Sequence, residues 1–314
     1  MKQFLSVDDV DDPMLLVKEA INLKSHPLVY DDLGIRKVLG LIFLNPSLRT
    51  RMSTTRAAYN LGMNVISLNM SNDSWTLETQ DGVVMDGNSI EHVKDAAAVM
   101  GQYCEVIGIR SFPTLKDRED DYEEHLIKYF AKYSGVPVIN LESSTVHPLQ
   151  SLADLVTIEE MKKTAKTKVV ITWAPHVRAL PQSVPNSFAE WMNQTEYEFV
   201  ITHPEGMDLH PKFVGDAMVT HNQEEALDNA DFVYVKNWSG FEHYGELKND
   251  PSWMINLKKL KNTNSAKLMH CLPVRRNVVI ADDALDSDHS VIIKQAANRV
   301  CAAQAVLKSI LYKA

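Results

Sequence analysis

The sequence predicts an α/β protein made of two doubly wound domains, each a mainly parallel sheet flanked by helices. Three observations predict it. Short apolar, β-branched runs recur along the whole chain, segments with helical spacing separate most of them, and 314 residues exceed what one core usually serves. Strands of a parallel sheet are covered on both faces, so they read as continuous apolar runs and not as alternations. Hydrophobic residues make up 45% of the chain, enough for two such cores.

The elements follow in order. Residues 38–44, 64–70, 105–110 and 136–141 read as the strands of the first domain. Residues 168–174, 198–203, 231–238 and 266–270 read as those of the second. Helical spacing marks 91–103, 122–133, 149–163 and 184–192, and a helix carrying Arg49, Arg51 and Arg56 follows the first strand. The segment 149–166, with Leu152, Leu155, Ile158 and Met161 every three residues, opens the second domain. The expected division is therefore 1–146 and 147–290, with 291–314 returning to the first domain as one long helix. Pro181 and Pro185 make 178–185 a stiff loop. There is no internal repeat and no low-complexity tract.

Charge and cysteine usage exclude several function classes. A formal net charge of −9 argues against nucleic acid, which demands basic surface. A small anionic substrate stays compatible if positive charge gathers in a cleft. Cys104, Cys271 and Cys301 are an odd, sparse set without metal-ligand spacing, which reads as thiols in a reducing compartment. The start, MKQFLSVDDVDD, is acidic where a signal peptide needs an apolar stretch. No run of about 18 apolar residues exists to span a membrane. A cytoplasmic protein is the expectation. No HxxxH or HExxH spacing occurs, and the paired aspartates read as solvated turns, so no metal site is expected.

Several constellations carry chemistry, each with a plainer reading beside it. Ser47-Leu48-Arg49-Thr50-Arg51 joins a strand end to a helix start, where free N–H groups, the helix dipole and forked guanidiniums suit an anion. The plainer reading is a capped helix with a solvated basic face. His147-Pro148-Leu149-Gln150 offers a donor to a carbonyl oxygen and an amide holder one turn on, or an ordinary helix start with Pro at its first position. Arg110 ends a strand, as a ligand or as a structural ion pair. His270-Cys271-Leu272-Pro273-Val274-Arg275-Arg276 combines a thiol with two guanidiniums. Leu272 precedes proline and is biased to an extended backbone that leaves its carbonyl facing a cleft. Cys271 is a candidate nucleophile or a small buried hydrophobe. Trp75 sits in a polar loop, as core packing or as a ligand or subunit contact. Phosphate-loop and dinucleotide fingerprints are absent.

Taken together, three motifs, the intervening arginine and the two-domain pattern resemble the transcarbamylases that use carbamoyl phosphate. The family's S-x-R-T-R stands as residues 47–51, its H-P-x-Q as 147–150, its H-C-L-P as 270–273, and its late arginine as Arg299. The second domain lacks the Ser-Met-Gly loop that holds free ornithine and instead resembles the N-acylornithine branch of arginine biosynthesis. The resemblance implies carbamoyl phosphate contacts at Ser47, Leu48, Arg49, Thr50, Trp75, Arg110, His147, Gln150, Leu272 and Arg299. It implies acylornithine contacts at Ile90, Glu142, His176, Arg178, Asn186, Lys236, Cys271, Leu272 and Arg276. The catalytic set would be Arg49, Thr50, Arg110, His147 and Cys271. It further implies a homotrimer in which Trp75 reaches a neighbouring active site, a knotted second domain with a later segment threaded through the proline-containing loop, and no cofactor.

Acyl choice turns on position 90. By resemblance, the acetyl-specific type carries an acidic residue there and the succinyl type a proline; this chain has Ile90, with Glu91 adjacent. An uncharged Ile90 does not repel a succinyl carboxylate, and His176, Arg178 and Lys236 attract one. N-succinyl-L-ornithine is therefore the expected acceptor and N-succinyl-L-citrulline the product. N-acetylornithine, free ornithine and aspartate are the enzyme alternatives. An anion-binding regulatory module is the non-enzyme one, and a metal hydrolase lacks its ligand spacings.

Overall fold

The computed structural model describes residues 1–312. Contacts divide the chain into two compact units. The first holds Met1–Thr114, Glu119–Leu149 and the chain from Arg299 onward; the second holds Leu115–Arg118 and Gln150–Asn298.

In the first unit, a four-stranded parallel sheet is built from β1 (Val38–Phe43), β2 (Asn64–Asn69), β5 (Val106–Arg110) and β6 (Val138–Glu142), in the order β2-β1-β5-β6. Chain order reverses direction across the sheet between β1 and β5, the switch point at which α/β sheets open a crevice beyond their carboxyl ends. Helices α1 (Pro13–Ser25), α2 (Leu48–Asn60), α4 (Val93–Met100) and α6 (His125–Tyr133) belong to this unit. Asp12 caps α1 by accepting from the Leu15 N–H at 2.9 Å, with Pro13 as its first residue. Ile107, Ile109, Val93, Ala97, Ile127 and Phe130 form a core on one face of the sheet. A short helix α3 (Met70–Asp73) leads to β3 (Leu77–Glu78), which pairs in parallel with β4 (Glu91–His92).

The second unit carries a five-stranded parallel sheet of β7 (Lys168–Trp173), β8 (Glu198–Thr202), β9 (Met218–Thr220), β10 (Phe232–Lys236) and β11 (Lys267–Met269), ordered β11-β10-β7-β8-β9. Its switch point lies between β7 and β10. Around it are α7 (Pro148–Met161), α8 (Ser183–Met192), α9 (Pro211–Val214), α10 (Gln223–Leu227), α11 (Leu257–Leu260) and α12 (Asp282–Leu285). The twenty-residue α13 (Ile292–Leu311) contributes its first seven residues here and the remainder to the first unit. No helix among the described residues is long and apolar enough to cross a membrane.

Four expectations need correction. The helix expected over 122–133 is two, α5 (Arg118–Glu123) and α6, because Glu124 turns left-handed at φ +49°. Its Oε1 there accepts both the N–H and the hydroxyl of Thr145, at 2.7 and 2.8 Å. The helix expected from residue 91 starts at Val93, since Glu91 and His92 are drawn into pairing with β3. The helix expected to reach residue 166 stops at Met161, and Thr164 and Thr167 hydroxyls close a turn on nearby carbonyls instead. Pro185 is not in a loop: it lies in the first turn of α8, where a missing N–H is tolerated.

Candidate active site

Each sheet places charged side chains at its own switch point. In the first unit β1 runs into Asn45-Pro46 and then α2. Ser47 stands at the N-cap position with an extended backbone, φ −146°, yet its side chain makes no capping hydrogen bond. The cap reading thus accounts for where Ser47 stands but not for its hydroxyl. Leu48 is exposed, Thr50 is buried, and half-buried Arg49 has no ion-pair partner among the described residues. A bare helix N-terminus with a neighbouring guanidinium is an anion site by construction.

Arg110 closes this site from β5. A register shift between Ile109 and Arg110 bulges the pairing with β6, and bulges re-aim side chains. The buried guanidinium donates through Nη1 to the carbonyls of Asn45 and Pro46, both at 2.9 Å. It donates through Nε and Nη2 to Glu142 Oε2, at 3.2 and 3.0 Å. It also stacks 3.9 Å from the centroid of Phe112. The structural ion pair considered for Arg110 is therefore present, and the same bonds fix its plane against the turn that precedes α2. Glu142 gives its carboxylate to Arg110 and lies 3.7 Å from His147 Nε2.

His147 is buried, and its Nδ1 has no hydrogen-bond partner among the described residues. Burial, then the positive charges of Arg299 and Arg110, hold its pKa well below the ordinary 6.5. The ring is neutral near pH 7 and keeps one N–H to donate. Arg299, on α13, donates from Nη2 to Thr50 Oγ1 at 2.5 Å. Ser47, Arg49, Thr50, Arg110, His147 and Arg299 thus all lie on the first unit. Trp75 is half exposed and donates from Nε1 to Glu91 Oε2 at 2.9 Å. Ile90 is 69% exposed on the loop that joins β3 to β4.

In the second unit the loop after β7 carries His176 and Arg178, and β10 ends in Lys236. His176 Nδ1 lies 2.9 Å from the Arg178 carbonyl. Lys236 is buried, with Nζ donating to the Asn237 carbonyl at 2.8 Å. Asn237 ties the two strand ends together by donating to the Ala174 carbonyl at 2.7 Å. Burial lowers the His176 pKa, and the positive charges of Lys236, Arg275 and Arg178 lower it further. Cys271 and Tyr234 neighbour the same strand ends. Burial, then Asp154 and Cys271, push the Tyr234 phenol well above 10. Gln150 is buried on α7 and donates to Asp154 Oδ1 at 2.7 Å. Asn186 is fully buried in α8.

Two residues in the segment 270–276 differ from their sequence reading. Leu272 is not extended: its φ is +59°, and its N–H donates to His270 Nδ1 at 2.8 Å. That bond closes a tight turn and offsets the cost of a left-handed non-glycine residue, about 1–2 kcal/mol. The Leu272–Pro273 peptide is cis. Arg276 is committed elsewhere, with Nη1 and Nη2 on Asp282 and Asp286 at 2.7 to 2.9 Å. The bonds to Asp286 and Asp282 raise its pKa further. Its neighbour Arg275, missed at the sequence level, is the arginine whose charge reaches His176. Adjacent identical residues carry no sequence signal to separate them; the acidic pair at 282 and 286 was the available hint.

Comparison with known proteins identifies the family of the chain. Residues 2–160 match the family described as aspartate/ornithine carbamoyltransferase, carbamoyl-P binding domain. Residues 179–310 match aspartate/ornithine carbamoyltransferase, Asp/Orn binding domain. The chain is 52% identical to the N-succinylornithine carbamoyltransferase of Bacteroides fragilis over 314 residues, 99% of each chain. It is 32% identical to the N-acetylornithine carbamoyltransferase of Xanthomonas campestris pv. campestris, over 99% of this chain and 98% of that one. Among solved structures, a glutamate-to-valine mutant of N-acetyl-L-ornithine transcarbamylase complexed with carbamyl phosphate and N-succinyl-L-norvaline superposes with a TM-score of 0.93. It shares 31% identity and covers 99% of this chain and 100% of that one.

Proposed function

The chain belongs to the aspartate/ornithine carbamoyltransferase family, and we propose that it transfers the carbamoyl group of carbamoyl phosphate to the side-chain amine of N-succinyl-L-ornithine. The products are N-succinyl-L-citrulline and phosphate, a step of arginine biosynthesis carried out in the cytoplasm. The observation that carries the acceptor choice is an uncharged Ile90 together with the cations Arg178, Lys236 and Arg275, whose charges all reach His176. Succinylornithine has two carboxylates for such cations, and acetylornithine has one. The acetylornithine enzyme whose glutamate is replaced by valine, and which is complexed with a succinylated analogue, supports the same reading. So does the higher identity to the N-succinylornithine enzyme.

The donor half of the chemistry is electrostatic. Backbone N–H groups at the start of α2, with Ser47, Arg49 and Arg110, clasp the phosphate and stabilise charge as it leaves. Thr50, Arg110 and His147 polarise the carbamoyl oxygen, and a neutral His147 donates without adding a further cation beside Arg110 and Arg299. Gln150, the Leu272 carbonyl and Arg299 fix the plane of the carbamoyl group. Holding both reactants in attack geometry contributes about 7–11 kcal/mol in favourable cases. The incoming amine attacks in its neutral form, which cationic, dry surroundings favour. The departing phosphate takes the proton. Arg275 replaces Arg276 as the grip on an acceptor carboxylate. Cys271 packs at the strand ends and forms no covalent intermediate. No metal or organic cofactor takes part.

The active assembly is a homotrimer in which exposed Trp75 reaches a neighbouring site. The second unit is knotted, with the segment after β10 threaded through the proline-containing loop. Close crossings support the knot. Ser239 N–H donates to Leu180 O at 3.0 Å, Gln182 donates to Ser239 O at 2.8 Å, and a Cβ on Gly240 would lie 2.0 Å from Gly206 O.

The deciding experiment measures citrulline-product formation from N-succinyl-, N-acetyl- and free ornithine at fixed carbamoyl phosphate. The succinylated substrate should have the highest kcat/KM; a higher value for either of the others overturns the acceptor assignment.

A further inference from the structure

Asp154 lies on α7 one turn beyond Gln150 and is fully buried. Its Oδ1 accepts from two amides at 2.7 Å, Gln150 Nε2 and Gln295 Nε2 of α13. Gln295 Oε1 accepts the backbone N–H of His270 at 2.8 Å, and His270 Nδ1 accepts that of Leu272 at the same distance. One carboxylate therefore stands at the root of two branches. The first ends at the Gln150 amide. The second runs through Gln295 and His270 to the turn that presents the Leu272 carbonyl.

An amide has a donor end and an acceptor end on opposite sides, whereas a carboxylate oxygen only accepts. Drawing the Gln150 –NH2 onto Asp154 turns its oxygen the other way. Drawing the Gln295 –NH2 onto the same atom turns its oxygen to His270. We infer that Asp154 is a positioning residue for carbamoyl transfer: it orients the Gln150 amide so that its oxygen receives the carbamoyl –NH2, and it holds the His270–Leu272 turn whose carbonyl receives the same group. The inference rests on the donor reading given above, which assigns the carbamoyl group to Gln150 and Leu272. It adds a residue that never touches the substrate. A buried network partner that is lost without replacement is felt by every group it satisfied.

Asp154→Leu keeps a similar shape but removes the oxygen on which the two –NH2 groups converge, so neither glutamine is held in place. The test compares binding of carbamoyl phosphate and of inorganic phosphate to the whole protein by calorimetry. Inorganic phosphate has no carbamoyl group and serves as the control. The wild type should hold carbamoyl phosphate more tightly than phosphate. D154L should lose about tenfold in carbamoyl phosphate affinity, the size of one lost buried hydrogen bond, with phosphate affinity within about twofold. Asp154→Asn, whose amide oxygen still accepts from both glutamines, should recover most of the loss. Equal loss for both ligands, no loss, or no recovery overturns the inference. Should D154L not fold, Gln295→Met, which cuts only the branch to His270, must show the same selective loss or the inference fails. A wild type that does not prefer carbamoyl phosphate sinks the donor reading itself, an outcome distinct from the others.

Discussion

Arg49 and Arg110 both carry a guanidinium, and their surroundings separate what their loss does. Arg49 is half-buried at a helix start, whereas the side chains of Arg110 and Glu142 are only 8% and 10% exposed as a pair. Arg49→Ala should reduce kcat/KM at least about 100-fold, as removal of one preorganised donor does, and leave the melting temperature within a degree or so. Arg110→Ala should abolish activity and also destabilise by about 3–5 kcal/mol, because Glu142 is left buried without its partner. Urea unfolding of the two variants beside the wild type checks the contrast; equal stability in both would refute the ion-pair account. His147 makes a second residue-level prediction. Its folded pKa is lowered, so below the ordinary 6.5 the unfolded chain takes up a proton that the native ring refuses. Stability should be flat in this respect above 6.5 and fall as pH drops below it, by up to about 1.4 kcal/mol per pH unit for one group. His176 and His203, also lowered by burial, act in the same direction. His147→Asn should therefore flatten, without abolishing, the decline in urea midpoint between pH 7 and pH 5.

At the scale of elements, the loop from β3 to β4 carries Ile90, to which the acceptor choice is assigned in the proposal. It is closed at its base by pairing of Leu77 with Glu91 and by Ile90 N–H on Thr76 O at 3.1 Å. Lys94 Nζ holds Asp81 at 2.5 Å against α4, and Ile90 stands outward. Ile90→Glu places a carboxylate where Ile90 now offers an apolar surface, and should lower the succinyl-to-acetyl ratio of kcat/KM by about tenfold or more, with melting unchanged; an unaltered ratio removes Ile90 from the acceptor site. This loop also marks the limit of what the chain reveals before folding. The eight strands read from the sequence were legible because strands of a parallel sheet are largely apolar, as the burial of Val106 to Arg110 and Phe232 to Lys236 illustrates. β9 was not, because its short run carries Met218 and Val219 to an exposed edge. Helices of four or five residues, such as α9 to α12, span little more than one turn, too short for a helical period to repeat. The residues proposed to hold the donor stand out in the sequence because they sit at strand ends followed by helix starts. The choice between Arg275 and Arg276 depended on where Asp282 and Asp286 fall after folding, and no local rule contains that.

For the molecule as a whole, oligomerisation decides whether one chain can hold a complete site. If the protein forms the proposed homotrimer and Trp75 serves a neighbouring subunit, then each site combines its own Arg49 with another chain's Trp75. Trp75→Ala and Arg49→Ala homotrimers are then both deficient, for different reasons. A mixed trimer contains some sites in which the subunit lacking Trp75 retains Arg49 and its neighbour, lacking Arg49, retains Trp75. Those sites are intact. Random reassembly of equal amounts makes them about a quarter of all sites, since each of two independent conditions holds half the time. Unfolding the two variants together, refolding the mixture and assaying carbamoyl transfer should therefore recover about a quarter of wild-type activity, and each variant refolded alone should recover almost none. Activity equal to the average of the two separate variants would show that Trp75 acts only within its own chain. The ring, half exposed and tied to Glu91, would then be a surface anchor for the acceptor loop.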